Sequence, residues 1–206
     1  MSLAERISTR SRIHKFDLFL RELAPTADDS VLDVGVDPSG WGDVKDQGQT
    51  NFLEHFYAWP QRITGLGLHD GVEFRQRYPE CSYVQGDGTK LPFADGSFDI
   101  VFSNAVIEHV GDEAAQTAFA AEVRRVGRRY FVTTPNRWFP IETHTRLPLV
   151  HWLPQSTLRD RLYRAARKPW APGDFRLLSR PQLQRLFPDA RIRNLGMTLV
   201  ATGSGG

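Results

Sequence analysis

GDGTKLPFADGSFDIVFSNAVIEHV, residues 86–110, decides the fold. Gly86-Asp87-Gly88 follows a short apolar stretch, Ser82-Tyr83-Val84, and so stands just past a strand. An Asp in that place can accept a hydrogen bond from an exocyclic amine on a purine. Leu91-Pro92-Phe93 supplies an apolar wall, and Asp95-Gly96-Ser97 is a turn into the next strand, Phe98 to Ser103.

Working outward, short apolar strands alternate with helical patterns. Residues 12–23 space Ile13, Phe16, Phe19, Leu20 and Leu23 at three and four, which predicts an amphipathic helix stopped by Pro25. Ser30 to Val34 is a strand ending at Gly35, and residues 49–57 look helical up to Pro60. Arg62 to Leu66 is a strand, 70–78 a helix, and 112–125 a helix with Asp112 and Glu113 in its first turn, where the dipole favours them. Tyr130 to Thr134 is a strand stopped by Pro135. That order predicts a parallel sheet with right-handed crossovers. Leu178 to Phe187 then reads as a helix with Ser179 as cap and Pro181 at its start. The stretches 190–194 and 197–202 flank Gly196 so tightly that they must pair antiparallel. The expected fold class is α/β: a Rossmann-like, doubly wound, mostly parallel seven-stranded sheet closed by a C-terminal antiparallel hairpin.

Composition excludes several classes. Lys plus Arg (26) nearly balance Asp plus Glu (24), for a net charge of +2, so nothing global argues for nucleic acid. The single Cys81 excludes an internal disulfide framework and a multi-Cys zinc site. Charges run through MSLAERISTRSRIHKFDLFL, which therefore does not read as a signal peptide, and no run approaches the roughly 20 apolar residues of a membrane span. The expected compartment is the cytoplasm.

The ordered motifs of residues 86–110 resemble the third-to-fourth-strand region of class I S-adenosylmethionine-dependent methyltransferases, where G-D-A leads through L-P-F to S-F-D and an E-H pair. VLDVG at 31–35 is similar to the first motif of that family, TTPN at 133–136 to its fifth-strand end, and the closing hairpin to its last two strands. VLDVGV, NFLEHFYAWPQRITGLGLHD and TTPNRWFPIETHTRLPLVHWLP (133–154) further resemble a bacterial, type 11-like subgroup with an altered first loop. The resemblance implies S-adenosyl-L-methionine as cofactor. It puts Asp33 near the methionine amino group, Gly35 and Val36 where the backbone approaches the cofactor, and Asp87 on the adenine amine, with Gly88 where Ala is usual. Ser103, Asn104 and Ala105 fall along the methionine portion. Gly67 and Leu68 fall at the ribose position, where an acidic residue normally binds the diol; Gly67 has no carboxylate, and His69 or Asp70 could reach in instead. Asp37 replaces the second loop glycine.

For a hydroxyl acceptor a base is needed, and His109, at the end of the fourth strand, is the first candidate, with His144 and then His151 behind it. Some relatives bind a metal through E-x-x-E-H; Ala105 stands at the first of those positions, so no metal is expected. Residues 1–206 read as one methyltransferase domain with an acceptor-side insertion at about 137–175. The insertion is rich in Trp, Phe and Pro, with a basic run from Arg159 to Lys168 that could touch a membrane face or an anionic acceptor. The expected function is methyl transfer to a small-molecule, glycan or lipid-linked acceptor on oxygen. The alternative is a non-catalytic binding or regulatory module on the same fold. A nicotinamide dehydrogenase is disfavoured, because Val36-Asp37-Pro38 breaks G-x-G-x-x-G.

Overall fold

The computed structural model describes residues 3–36, 51–142, 147–153, 157–165 and 175–205. Its centre is β1 (Val31–Val34), buried along its whole length between two parallel neighbours, β2 (Ile63–Gly67) and β4 (Phe98–Asn104). β3 (Ser82–Gln85) extends the sheet beyond β2, and β5 (Gly127–Pro135) extends it beyond β4. β7 (Thr198–Ser204) runs antiparallel to β5, and β6 (Arg191–Asn194) runs antiparallel to β7 on the outer edge. The order is β3-β2-β1-β4-β5-β7-β6, the parallel sheet with an antiparallel hairpin that the sequence predicts. The chain winds one way from β1 to β3 and the other from β4 onward. The switch point therefore lies between β1 and β4, and a crevice opens at their carboxyl ends.

One sheet face is covered by α1 (Leu3–Leu23), α2 (Phe52–Phe56) and α3 (Val72–Arg77), the other by α4 (Glu113–Val126) and α6 (Arg180–Leu186). α5 (Thr157–Ala165) packs against the 3-10 turn Val150–Trp152. The Asp112 carboxylate accepts from the Ala115 N–H at 2.9 Å and starts α4. Phe119, Ala120, Val123 and Val126 then recur on its buried face. Gln182 Oε1 accepts from the Ser179 N–H (2.9 Å) and hydroxyl (2.7 Å) and fixes the start of α6.

Three sequence expectations shift. Of the helix expected at 49–57, residues 49 and 50 lie outside the described residues; the helix runs Phe52–Phe56 and stops there because Tyr57 turns extended ahead of a 3-10 turn at Pro60–Arg62. α1 buries only part of the expected stripe: Phe19 and Leu23 face the core and Phe16 packs against it. Ile13 is 47% exposed and Leu20 is exposed too, whereas Lys15, Leu18, Phe19 and Leu23 are buried. The helix is anchored by rings: Phe102 and Phe131, neighbours on β4 and β5, lie parallel at 5.6 Å, and Phe19 meets both edge-on at 5.3 and 5.6 Å. Arg129 closes its far end, donating to the Leu23 carbonyl and to Asp29, both at 2.6 Å. A cation suits a helix C-terminus, and β5, which carries it, begins at Gly127, ahead of the expected Tyr130. Phe19→Ala should cost about 3–5 kcal/mol, read as a lower midpoint in urea denaturation with an unchanged slope.

Candidate functional site

The expected cofactor residues gather at the carboxyl ends of β1 to β4. After β1, the amides of Gly35 and Val36 both donate to the Leu66 carbonyl (2.8 and 3.1 Å), which folds the chain across the end of β2. Gly35 has φ +93, and a Cβ there would stand 2.3 Å from Val106, so only glycine fits. Asp37 lies outside the described residues.

Asp33 is buried at 6% exposure and faces Glu54 of α2, itself 5% exposed. The contact stops short of a full hydrogen bond, since both Glu54 oxygens are buried without a hydrogen-bond partner. Burial pushes both carboxyls above their usual range, and the Glu54 charge adds to the rise at Asp33. Tyr78 and Cys81, whose own values rise chiefly through burial, also feel these carboxyls.

The departure at Gly67 has a physical cause. A Cβ there would meet the Val36 carbonyl at 2.7 Å and the Tyr83 hydroxyl at 2.8 Å, and that hydroxyl is held by a 2.8 Å bond to the His69 carbonyl. Tyr83 occupies the space an acidic side chain would need. Leu68 is exposed, and its carbonyl accepts from Gln85 Nε2 at 3.0 Å. The Asp70 carboxylate turns to the Val72 N–H at 3.2 Å, at the start of α3. Gly88, too, is forced: a Cβ would lie 2.9 Å from Phe119.

Asp87 is exposed, and its Oδ1 accepts from the N–H and hydroxyl of Thr89, both at 2.8 Å, which sets the turn. The apolar wall behind it is tied down by Arg125. Its guanidinium donates to Glu122 (2.7 and 2.8 Å), Asp95 (2.7 Å) and the carbonyls of Phe93 (2.8 Å) and Leu91 (3.1 Å). These partners hold its pKa above the ordinary value, Glu122 most of all.

At the end of β4, the buried Ser103 hydroxyl donates to the Val34 carbonyl at 2.9 Å, so only its backbone remains for a ligand. Ala105 adopts φ +58, a strained conformation for a residue with a Cβ. Asn104 Oδ1 accepts from Lys15 Nζ at 2.6 Å and from the Thr133 hydroxyl at 2.8 Å. Glu108 is fully buried and takes a bond from the Thr134 hydroxyl at 3.0 Å. His109 is half-buried, its ring 6.4 Å from Phe175 at the end of the insertion. The structure uses His151 to hold the chain after β5: its Nε2 lies 3.0 Å from the Arg137 carbonyl, which also accepts from Trp152 Nε1 at 2.8 Å. His144 lies outside the described residues.

Lys15, Glu54, Tyr83 and Arg125 escaped sequence reasoning. Lys15 lies one turn before Phe19, so placing Phe19 at the centre of the buried stripe would have found it.

The topology is that of the class I methyltransferase architecture. Residues 47–130 match the methyltransferase domain family. A probable S-adenosylmethionine-dependent methyltransferase of Mycolicibacterium smegmatis is 35% identical over 79 residues, 37% of this chain and 31% of the relative. A demethylmenaquinone methyltransferase of Beutenbergia cavernae is 40% identical over 74 residues, 34% of this chain and 30% of the relative. The chain thus spans about a third of the length of these curated relatives. A solved Pyrococcus horikoshii protein superposes with a TM-score of 0.59 at 16% identity, covering 96% of this chain and 91% of that one. The chain thus shares the fold of the class I S-adenosylmethionine-dependent methyltransferases, and its residues 47–130 are similar to that family. The buried acids beside the Gly35 turn and the exposed Asp87 fit that cofactor. No helix among the described residues is long and apolar enough to cross a membrane.

Because burial raises the Asp33 and Glu54 pKa values, the fold favours their protonated forms. Their contribution to stability is complete below the ordinary values of 3.8 and 4.5 and is lost as pH rises through the raised ones. Thermal unfolding of the ligand-free protein should show this loss, and Glu54→Gln should flatten the profile relative to wild type. Identical profiles would show that the acids ionise freely in the fold.

Proposed function

We propose that this chain transfers the methyl group of S-adenosylmethionine to a hydroxyl of a small-molecule, glycan or lipid-linked acceptor. The observation that carries the reading is the placing of Asp33 next to last in β1 and of Asp87 just past β3, on either side of β2, at the open end of a methyltransferase sheet. In this reading Asp33 meets the methionine amino group and Asp87 the adenine amine. The turns at Gly35-Val36 and Gly67-Leu68 pass the cofactor backbone-first, Gly88 keeps the adenine side close to the sheet, and Ser103, Asn104 and Ala105 border the methionine portion.

The cofactor supplies a methyl carbon already activated on a sulfonium, so the protein mainly aligns the acceptor and excludes water. Transfer of that methyl group to a hydroxyl would release the hydroxyl proton, which His109 would take, with His144 the second candidate base. Residues 137–175 form the acceptor side. Trp138 and Trp152, 60% and 40% exposed with rings 6.0 Å apart, supply an aromatic wall. Exposed Leu158 and Leu162 on α5, beside Arg161 and Arg164, favour peripheral contact with a membrane or an anionic acceptor. The single Cys81, buried and free, suits a reducing cytoplasm. The missing ribose carboxylate at Gly67 favours the competing reading, a module that does not turn over.

Calorimetry with S-adenosylmethionine separates the two. Micromolar binding that Asp87→Ala weakens at least tenfold is expected, and absence of any binding heat would favour the module. With methyl-labelled cofactor and a panel of hydroxyl acceptors, deletion of residues 138–175 should abolish transfer yet spare cofactor binding. Retained turnover in that deletion would sink the acceptor-side role.

A further inference from the structure

Two buried groups of opposite charge type sit at the switch point, neither of them in an ion pair among the described residues. Lys15 is 8% exposed; its Nζ donates to the neutral Asn104 amide and lies 5.4 Å from the Phe52 ring centroid, with no ion pair among the described residues. The other group is Glu54 beside Asp33, with both Glu54 oxygens unpartnered. The two share one patch. Asp33 pairs across the sheet with Phe102, two residues before Asn104. Phe52 meets Phe102 edge-on at 5.5 Å, and Glu54 follows Phe52 by two positions on α2.

An unpaired buried charge is costly, and the usual escape is a shifted pKa or a ligand that brings the missing charge. Both poles show the shift: burial lowers Lys15 to about 8 and raises the two acids. Arg12 pushes Lys15 further down while Glu108 opposes it, so the amine's nearest charged neighbours do not neutralise it cleanly. Asn104 is oriented for a ligand. Its Oδ1 takes two donors, from Lys15 and Thr133, which assigns the amide and leaves Nδ2 as a donor.

A ligand carrying an anion and a cation on one carbon answers both poles at once. We propose that Lys15 and Glu54 complete a site for the α-amino-acid head of the cofactor, Lys15 with Asn104 taking the carboxylate and Glu54 with Asp33 taking the ammonium. This rests on the S-adenosylmethionine reading, which gave the amino group Asp33 alone. Neither Lys15 nor Glu54 stands in a loop after a strand; each reaches the crevice from a helix packed on the sheet.

The test compares S-adenosylhomocysteine with 5′-methylthioadenosine, which lacks the amino-acid head, by calorimetry on wild type, Lys15→Met and Glu54→Gln. Each variant should weaken S-adenosylhomocysteine by about tenfold or more, the scale of a lost charged hydrogen bond, and leave methylthioadenosine within about twofold. Equal loss for both ligands, or no loss for either, overturns the proposal. Should a variant not fold, wild type is titrated with S-adenosylhomocysteine blocked at its carboxylate as the amide, or lacking its amino group. Each change should cost a similar factor, and indifference to both overturns the proposal. If wild type binds no adenosine ligand at all, the cofactor reading itself falls, an outcome distinct from loss of head recognition alone.

Discussion

Phe19, held edge-on against the parallel rings of Phe102 and Phe131, is the contact from which the rest of the crevice follows. Edge-to-face geometry between rings is directional as well as apolar, so it fixes the roll of α1 about its axis and not only its depth. Once that roll is set, the residue one turn earlier must lie over the end of β4, and that residue is Lys15. Phe52 joins the same ring cluster from α2 and carries Glu54 to the end of β1. Packing chosen for the core thus delivers one basic and one acidic group to the place where the strand order reverses.

The loops after β2 and β3 are braced from behind. Tyr83 reaches from β3 to the chain after β2, and its hydroxyl takes the volume that a side chain at Gly67 would fill. Arg125 on α4 binds the carbonyls of Leu91 and Phe93 together with Asp95, so the apolar wall beside Asp87 is pinned by a helix on the opposite face. Loops held in this way present their backbone in one arrangement and lose little freedom when a ligand arrives.

The strands were legible because buried parallel strands are short apolar runs, and the closing hairpin was legible because a tight link admits only antiparallel pairing. The motif at 86–110 also placed Asp87 correctly at a strand end. The buried stripe of α1 was legible only in part. Ile13 and Leu20 are as apolar as the residues that are buried, and only the rings of other strands decide which face turns inward. Glu54 was hidden for a related reason: in a five-residue helix, periodicity cannot tell the inner side from the outer. Gly67 and Gly88 read as losses from a motif until their neighbours are seen, since the exclusion lies in Tyr83 and Phe119, distant in sequence.

β7 sits inside the sheet, between β5 and β6, although it follows both in sequence. Its register ties Arg129 to Ser204 and Pro135 to Thr198. Until residues 198–204 have left the ribosome, β5 keeps a free edge and the short β6 has nothing to pair with. The parallel half can form earlier, but its outermost strand waits as an open template for wrong partners. The hairpin that completes the architecture therefore also governs when the nascent chain stops being prone to aggregate.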